Sequence, residues 1–331
     1  MGLRIALIGG AGHVNYVTEG VKALPGAVIC AVAPGSADED PGRLQRLAGG
    51  GPDTRIYADY RELLQAERPD LAAVSPAYHR HAEITCAALR AGAAVYCEKP
   101  LALTLESLAE VRQAWTESGR PLGIMLNYRY FPAFLTARRL VAAGAIGEPT
   151  VGYAQKSYKR GVRPDFYRRR ETFGGITPWV GIHAIDFLRW VSGREYRSVM
   201  AQHVKLHCPD YPGMEDAATC LYELDNGGSA VMSFDFLRPA GAPSHGDDRL
   251  RLLGERGALE IRGESTLEWI TAEGVRTVPL ELPKNGPFAD FAYTLLDPAH
   301  VCAIPAAEAL RVTEIALKTR AAADSGQRVP L

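Results

Sequence analysis

Three short runs in this 331-residue chain combine residue types and placements that chemistry can use. Glu98-Lys99-Pro100 sets a lysine directly after an apolar run over 94–97, and a lysine there can orient an oxygen or stabilise charge developing on it. Gly181-Ile182-His183-Ala184-Ile185-Asp186 places a histidine at the start of a helical pattern. Its imidazole can take a proton near neutral pH. Gly9-Gly10-Ala11-Gly12-His13-Val14-Asn15 follows the first apolar run. Gly10 and Gly12 fit the first two glycines of G-x-G-x-x-G, which permit a tight turn and close approach of a pyrophosphate to a helix N-terminus. Asn15 stands where the third glycine would be, so the fingerprint is incomplete.

These residues need elements to hold them. Up to residue 125, short aliphatic or β-branched runs alternate with amphipathic helical stretches, which predicts βαβ units around a parallel sheet. Strands are expected over 3–8, 28–33, 71–74, 94–97 and 122–125. Helices are expected over 60–67, capped by Asp59, and over 105–117, capped by Thr104. Ligands bind at the carboxyl ends of such strands, where Lys99 and the glycine run both fall. From about residue 150 longer alternating strands are expected, over 151–158, 199–207, 218–224, 230–236, 250–253 and 258–261. Asp225-Asn226-Gly227-Gly228 and Gly254-Glu255-Arg256-Gly257 are hairpin signals between them. Helices over 182–191 and 305–323 interrupt and close this half. The reading is an α/β Rossmann domain with a parallel sheet over 1–126, then an α+β domain with a large, mostly antiparallel open sheet over 127–331. The second domain is expected to bind substrate and to oligomerise, because an open sheet face needs cover.

Composition narrows the partner. Thirty-seven Lys and Arg against thirty-eight Asp and Glu leave a net charge of −1, so no global field draws the chain to nucleic acid or an acidic membrane. A small-molecule ligand is expected. No apolar stretch approaches the roughly 20 residues of a membrane span, and a cytoplasmic location is expected. The six cysteines are scattered without a C-x-x-C pair, so they read as reduced, and no metal site is expected. His203 and His207 would share a strand face, but they lack further ligands at suitable spacing.

The cofactor's ribose is normally read by an acid after the second strand. Here Pro34-Gly35-Ser36 stands there, and Asp38-Glu39-Asp40 comes later and reads as a solvated acidic loop. Ser36 could bind a ribose hydroxyl or a 2′-phosphate, and Arg43 or Arg46 could reach a phosphate, so NAD and NADP both stay open. Lys159-Arg160, Arg163 and Arg168-Arg169-Arg170 form a basic cluster. It could bind a phosphate or carboxylate on the substrate, or be a solvated arginine loop.

Taken together, Gly10-x-Gly12, Ser75-Pro76, His81-Ala82-Glu83, Ala91-Gly92, Glu98-Lys99-Pro100, Tyr128-Arg129 with Pro132, Gly174-Gly175 and Gly181-x-His183-x-x-Asp186 resemble the Gfo/Idh/MocA oxidoreductase family over almost the whole chain. The resemblance implies a bound nicotinamide cofactor, NAD or NADP, and hydride transfer to or from a sugar, cyclitol or related polyol. It implies Lys99 and His183 as catalytic residues. Gly10, Gly12, His13, Val14, Asn15, Ser36, Ser75, Pro76, His81, Glu98 and Lys99 would meet the cofactor. Tyr128, Arg129, Tyr158, Trp179 and His183 would meet the substrate. Many relatives carry an Asp four residues before the histidine, where this chain has Trp179. An indole cannot transfer protons, so Asp186, Tyr158, Lys159 or Tyr167 would have to assist if Lys99 and His183 do not suffice. That departure keeps two alternatives open: redox-neutral glycosidase or epimerase chemistry on the same cofactor, and a non-catalytic sugar or cofactor sensor. A homodimer or homotetramer is expected.

Overall fold

The computed structural model describes residues 2–37, 39–49 and 53–331; Met1, Asp38, Gly50, Gly51 and Pro52 lie outside the described residues. Strands β1 (Arg4–Ile8), β2 (Val28–Ala33), β3 (Arg55–Ile56), β4 (Leu71–Val74), β5 (Ala94–Cys97) and β6 (Leu122–Ile124) form one sheet in the order β3-β2-β1-β4-β5-β6. Every pairing in it is parallel. Helices α1 (Asn15–Lys22), α2 (Pro41–Leu47), α3 (Tyr60–Glu67), α4 (His81–Arg90) and α5 (Leu105–Ser118) connect the strands. β4 and β5 are buried at every residue, as strands of a sheet covered on both faces must be. The strand order reverses between β1 and β4, the kind of switch point beside which open α/β sheets bind their ligands. Asp59 accepts the Arg61 N–H at the start of α3, and Thr104 and Ser107 form a reciprocal capping box on α5. β3 was not expected: with two residues, both exposed, it is too short to show an alternation.

The second sheet comprises β7 (Val151–Tyr158), β8 (Tyr196–Val204), β9 (Ala217–Leu224), β10 (Ser229–Asp235), β11 (Gly246–Gly254), β12 (Gly257–Arg262), β13 (Thr266–Thr271), β14 (Gly274–Thr277) and β15 (Val329–Pro330). Its order is β14-β13-β12-β11-β7-β10-β9-β8-β15, antiparallel except where β7 meets β10. Helices α6 (Pro132–Ala142), α7 (Arg170–Phe173) and α8 (Ile182–Ser192) precede or interrupt it. β8 lies three residues earlier than expected, because pairing with β9 ends at Val204↔Ala217. Beyond it the Asp216 carboxylate turns the chain by accepting the N–H groups of Leu206 and His207. β11 begins four residues earlier than expected; its polar start Gly246-Asp247-Asp248-Arg249 pairs with β7 and shows no apolar alternation. β9 buries Ala218, Cys220, Tyr222 and Leu224 on one face and exposes Thr219 and Leu221 on the other.

Helices α9 (Pro287–Leu296) and α10 (Ala306–Ser325) complete the chain. One compact unit comprises 1–126, 171–173 and 285–314, the other 127–170, 174–284 and 315–331. The single division at 126/127 therefore omits the return of 285–314. Its cause is local: Phe288 and Phe291 of α9 pack on Tyr96 with ring centroids 5.5 and 5.1 Å apart. Gly20 in α1 and Gly123 in β6 make the room, since a Cβ there would lie 2.7 Å from the Phe288 ring and 2.6 Å from that of Phe291.

Candidate active site

In the first unit the glycine run forms a tight turn braced by the loops after β4 and β5. Ala11 donates its N–H to the Ser75 carbonyl at 2.6 Å, and the Ser75 hydroxyl donates to the Ala11 carbonyl. A Cβ on Gly9 would lie 2.4 Å from Pro76 N, and one on Gly12 would lie 2.2 Å from Glu98 Oε2. Gly12 also has φ +57°, a left-handed conformation that favours glycine. Gly10 faces Leu44 and Leu47 instead. Close protein packing thus demands these glycines as much as ligand approach does.

Glu98 sits fully buried under this turn. Its carboxylate accepts the His13 backbone N–H at 2.5 Å and the Lys99 N–H at 2.9 Å, and lies 2.9 Å from His13 Nδ1. Burial pushes the carboxyl up, but the charges of His13 and Lys99 and these hydrogen bonds outweigh it and hold the pKa at about 2. Lys99 is buried too, its Nζ 4.0 Å from Glu98 Oε1, and a cis peptide bond joins it to Pro100.

The fit to a dinucleotide can be judged from α1 and β2. α1 has no side-chain N-cap and no acid in its first turn; the N–H groups of Tyr16 and Val17 donate to the His13 and Val14 carbonyls, so an anion there would meet the Asn15 N–H and the positive end of the helix. At the end of β2 the Ser36 hydroxyl is buried and has no hydrogen-bond partner among the described residues, which suits a ribose hydroxyl. Several expected contacts are spent otherwise. Val14 lies in the apolar core, leaving only its backbone for a ligand, whereas Asn15 is exposed. His81 is fully buried between the carbonyls of Pro100 at 2.7 Å and Pro76 at 3.2 Å. Both ring nitrogens face carbonyls, so the ring presents no edge to a ligand; burial pulls its pKa down against these carbonyls and Glu98. Glu39 accepts the Gly35 N–H, and Asp40 caps α2 and pairs with Arg46. The acidic loop is therefore structural at these two positions.

In the second unit a π-helical turn over Thr177–Gly181 leads into α8. Gly181 allows this approach to β10, since a Cβ would sit 2.7 Å from the Phe234 ring. His183 emerges in the first turn, 1% exposed, with its ring 5.3 Å from that of Tyr128. Arg129, expected to touch substrate, is committed to Asp186: Nη2 lies 2.6 Å from Oδ1, both residues are buried, and the pair ties α8 to the turn before α6. Asp186 is thereby a structural counter-ion.

A polar cluster that sequence reasoning missed adjoins Tyr128. Lys156 of β7 lies 2.8 Å from Asp248 of β11, and the Tyr128 hydroxyl contacts both. The ammonium also lies over the rings of Tyr128 and Tyr158, at 4.3 and 4.4 Å. Burial pulls Lys156 down to about 8 despite Asp248, and burial pushes Asp248 up despite Lys156. The available signal was Lys156 at even spacing from Gly152 and Ala154 on an inward-facing side of β7. Asp248 is its cross-strand partner, which only the register reveals.

Trp179 is 7% exposed and lies among Tyr158, Tyr167 and Phe236, with ring centroids 6.0, 5.6 and 5.8 Å away. The basic cluster does not act as one. Arg168 pairs with Asp165, Arg170 with Glu215 and Asp324, and Arg160 reaches the His207 carbonyl and Cys208. Arg163 lies over the aromatic group, 5.2 Å from the rings of Trp179 and Phe236. Among the described residues no cluster of metal ligands is present, and no helix is long and apolar enough to cross a membrane.

Comparison with known proteins agrees with this architecture. Residues 3–126 match the model of the oxidoreductase family with an NAD-binding Rossmann fold, and 134–260 match that of the GFO/IDH/MocA C-terminal domain. Inositol 2-dehydrogenase 2 of Saccharopolyspora erythraea is 30% identical over 81% of this chain and 75% of its own. D-apiose dehydrogenase of Paraburkholderia graminis is 27% identical over 78% of this chain and 68% of its own. A solved structure of a candidate oxidoreductase from Thermotoga maritima is 38% identical, with a TM-score of 0.94 over 99% of this chain and 100% of that one.

Proposed function

The chain belongs to the Gfo/Idh/MocA family of oxidoreductases, and from that premise we propose that it oxidises a CH–OH group of a sugar, cyclitol or related polyol, or reduces the corresponding carbonyl, with a nicotinamide dinucleotide. The observation that carries the reading is the buried Glu98–Lys99 pair under the glycine turn, at the carboxyl edge of the parallel sheet. An ammonium kept there without contact with bulk water is suited to holding a substrate oxygen as its charge changes. The relatives named for inositol and apiose support the substrate class.

The dinucleotide would be held by the backbone at Gly10, Gly12, His13, Val14 and Asn15 and by the Ser36 hydroxyl, with Ser75, Pro76, His81 and Glu98 shaping that cradle. Bound there, the nicotinamide supplies a two-electron hydride acceptor or donor. Lys99 is assigned to hold the hydroxyl oxygen and His183 to take its proton. Tyr128, Tyr158 and Trp179 are assigned to the substrate, and Arg129 acts through Asp186 to hold the turn that carries Tyr128. Lys99→Ala should leave NADH binding within about threefold while lowering kcat by about a hundredfold or more. Turnover equal to that of the unaltered enzyme would remove Lys99 from the chemistry. Product formed without net NADH would instead place the enzyme in the redox-neutral class.

A homo-oligomer belongs to the same reading. Tyr153, Val231, Leu221 and Met200 are exposed and lie in one row, each beside the next on β7, β10, β9 and β8. Apolar side chains so aligned suit burial against a second copy. Light scattering of Leu221→Glu against the unaltered protein tests this, and identical masses would reject it.

A further inference from the structure

The segment after β7 carries charge that the protein does not neutralise. Arg163 Nη2 donates to the Lys159 carbonyl at 3.1 Å, and Lys159 Nζ donates to the Ala242 carbonyl. Among the described residues neither cation forms an ion pair with a carboxylate, although Arg168 and Arg170 in the same stretch do. The Arg163 Nε–H is buried and has no acceptor among the described residues. A buried donor left so costs free energy until something accepts from it. The guanidinium lies 5.2 Å from the rings of Trp179 and Phe236 and 5.7 Å from Tyr167, and these aromatic faces fix its place.

A third basic group stands beside it. The His245 ring packs 4.9 Å from Tyr158, and burial together with the positive charges of Arg163, Lys156 and Lys159 pulls its pKa down, with Asp248 opposing. Asp248 is already committed to Lys156 and Tyr128. Ring contacts connect this basic spot to the proposed proton acceptor. Trp179 meets Tyr158, Lys156 lies over both Tyr158 and Tyr128, and Tyr128 meets His183.

We propose that the substrate is an acidic sugar or cyclitol whose oxyanion, a carboxylate or a phosphate, is bound by Arg163 with Lys159 and His245 beside it. This rests on the dehydrogenase reading and narrows its substrate class. A guanidinium presents a planar fork that fits either oxyanion. The rings around it, Trp179, Tyr158, Tyr167 and Phe236, carry no negative charge that would repel one.

The test compares D-glucuronate, D-galacturonate and D-glucose 6-phosphate with D-glucose, D-galactose and myo-inositol, using the unaltered enzyme, Arg163→Gln and Arg163→Lys. NADH or NADPH formation, with NAD and NADP tried in parallel, gives kcat/KM, calorimetric titration of the cofactor-loaded protein gives binding, and thermal midpoints verify folding. The acids should be preferred. The acid-to-neutral ratio of kcat/KM should fall about 10- to 100-fold in Arg163→Gln, chiefly through KM, and recover in part in Arg163→Lys. The uronate and phosphate arms identify the oxyanion. A ratio equal in all three proteins, or no binding of any acid at about 10 mM, overturns the proposal. Oxidation of neutral polyols alone also overturns it but leaves the dehydrogenase reading standing. Binding of an acid that depends on Arg163 and yields neither NADH nor NADPH upholds the oxyanion site and removes the dehydrogenase reading.

Discussion

Glu98→Gln should remove a large part of the acid sensitivity of the first unit. The carboxylate is fully buried, accepts two backbone N–H groups, faces His13 Nδ1 at 2.9 Å and lies 4.0 Å from Lys99 Nζ. Burial alone would raise its pKa, yet these partners hold it at about 2, whereas an unfolded glutamate titrates at about 4.3. A difference of about 2 pH units corresponds to about 3 kcal/mol of folding stability. Because the folded pKa is depressed, that contribution is complete above the unfolded pKa. It is lost as pH falls from about 4.3 toward 2, where the unfolded chain binds the proton first. Glutamine keeps the volume but carries no charge, and its amide offers one acceptor to donors that the carboxylate met with two. Calorimetric unfolding of both proteins from pH 7 downward measures the difference and cancels the carboxylates they share. The gap should be about 3 kcal/mol at pH 7 and should close toward pH 2. A gap independent of pH, or none at neutral pH, refutes the electrostatic account of this site.

Asp186→Asn leaves the Arg129 guanidinium buried beside a neutral group and should cost about 3–5 kcal/mol in chemical denaturation; a loss below about 1 kcal/mol would show that the pair is dispensable. Gly12→Ala combines a positive φ with a Cβ 2.2 Å from Glu98. It should lose at least about 1–2 kcal/mol and weaken NADH binding in a fluorescence titration, and unaltered values would contradict the packing argument. Lys156→Met strands Asp248 and should cost about 3–5 kcal/mol, while Lys156→Met with Asp248→Leu should regain most of it. A double variant as unstable as the single one would show that Lys156 matters by packing rather than by charge.

Much of the Rossmann unit is legible in the sequence because its signals are local. The apolar runs at Val28–Ala33, Leu71–Val74 and Ala94–Cys97 and the caps at Asp59 and Thr104 report their elements without reference to distant residues. The polar start of β11 and the short β3 were hidden, because a strand shows an alternation only where it is long and one face is apolar. Likewise α9 joins the first unit through two glycines, at 20 and 123, whose role as sockets for Phe288 and Phe291 no local pattern encodes.

At the candidate site the sequence by itself determined which chemistry is present: a lysine after β5, a histidine opening α8 and a glycine turn before α1, each set by residue type and by its place in a periodic pattern. Tertiary structure decided which charges remain available. Arg129, His81, Glu39 and Asp40 are spent on protein partners, whereas Arg163 has no carboxylate partner among the described residues. Whether a charged side chain is neutralised depends on what stands within about 4 Å of it, and strand register and helix docking fix that distance between residues far apart in the chain.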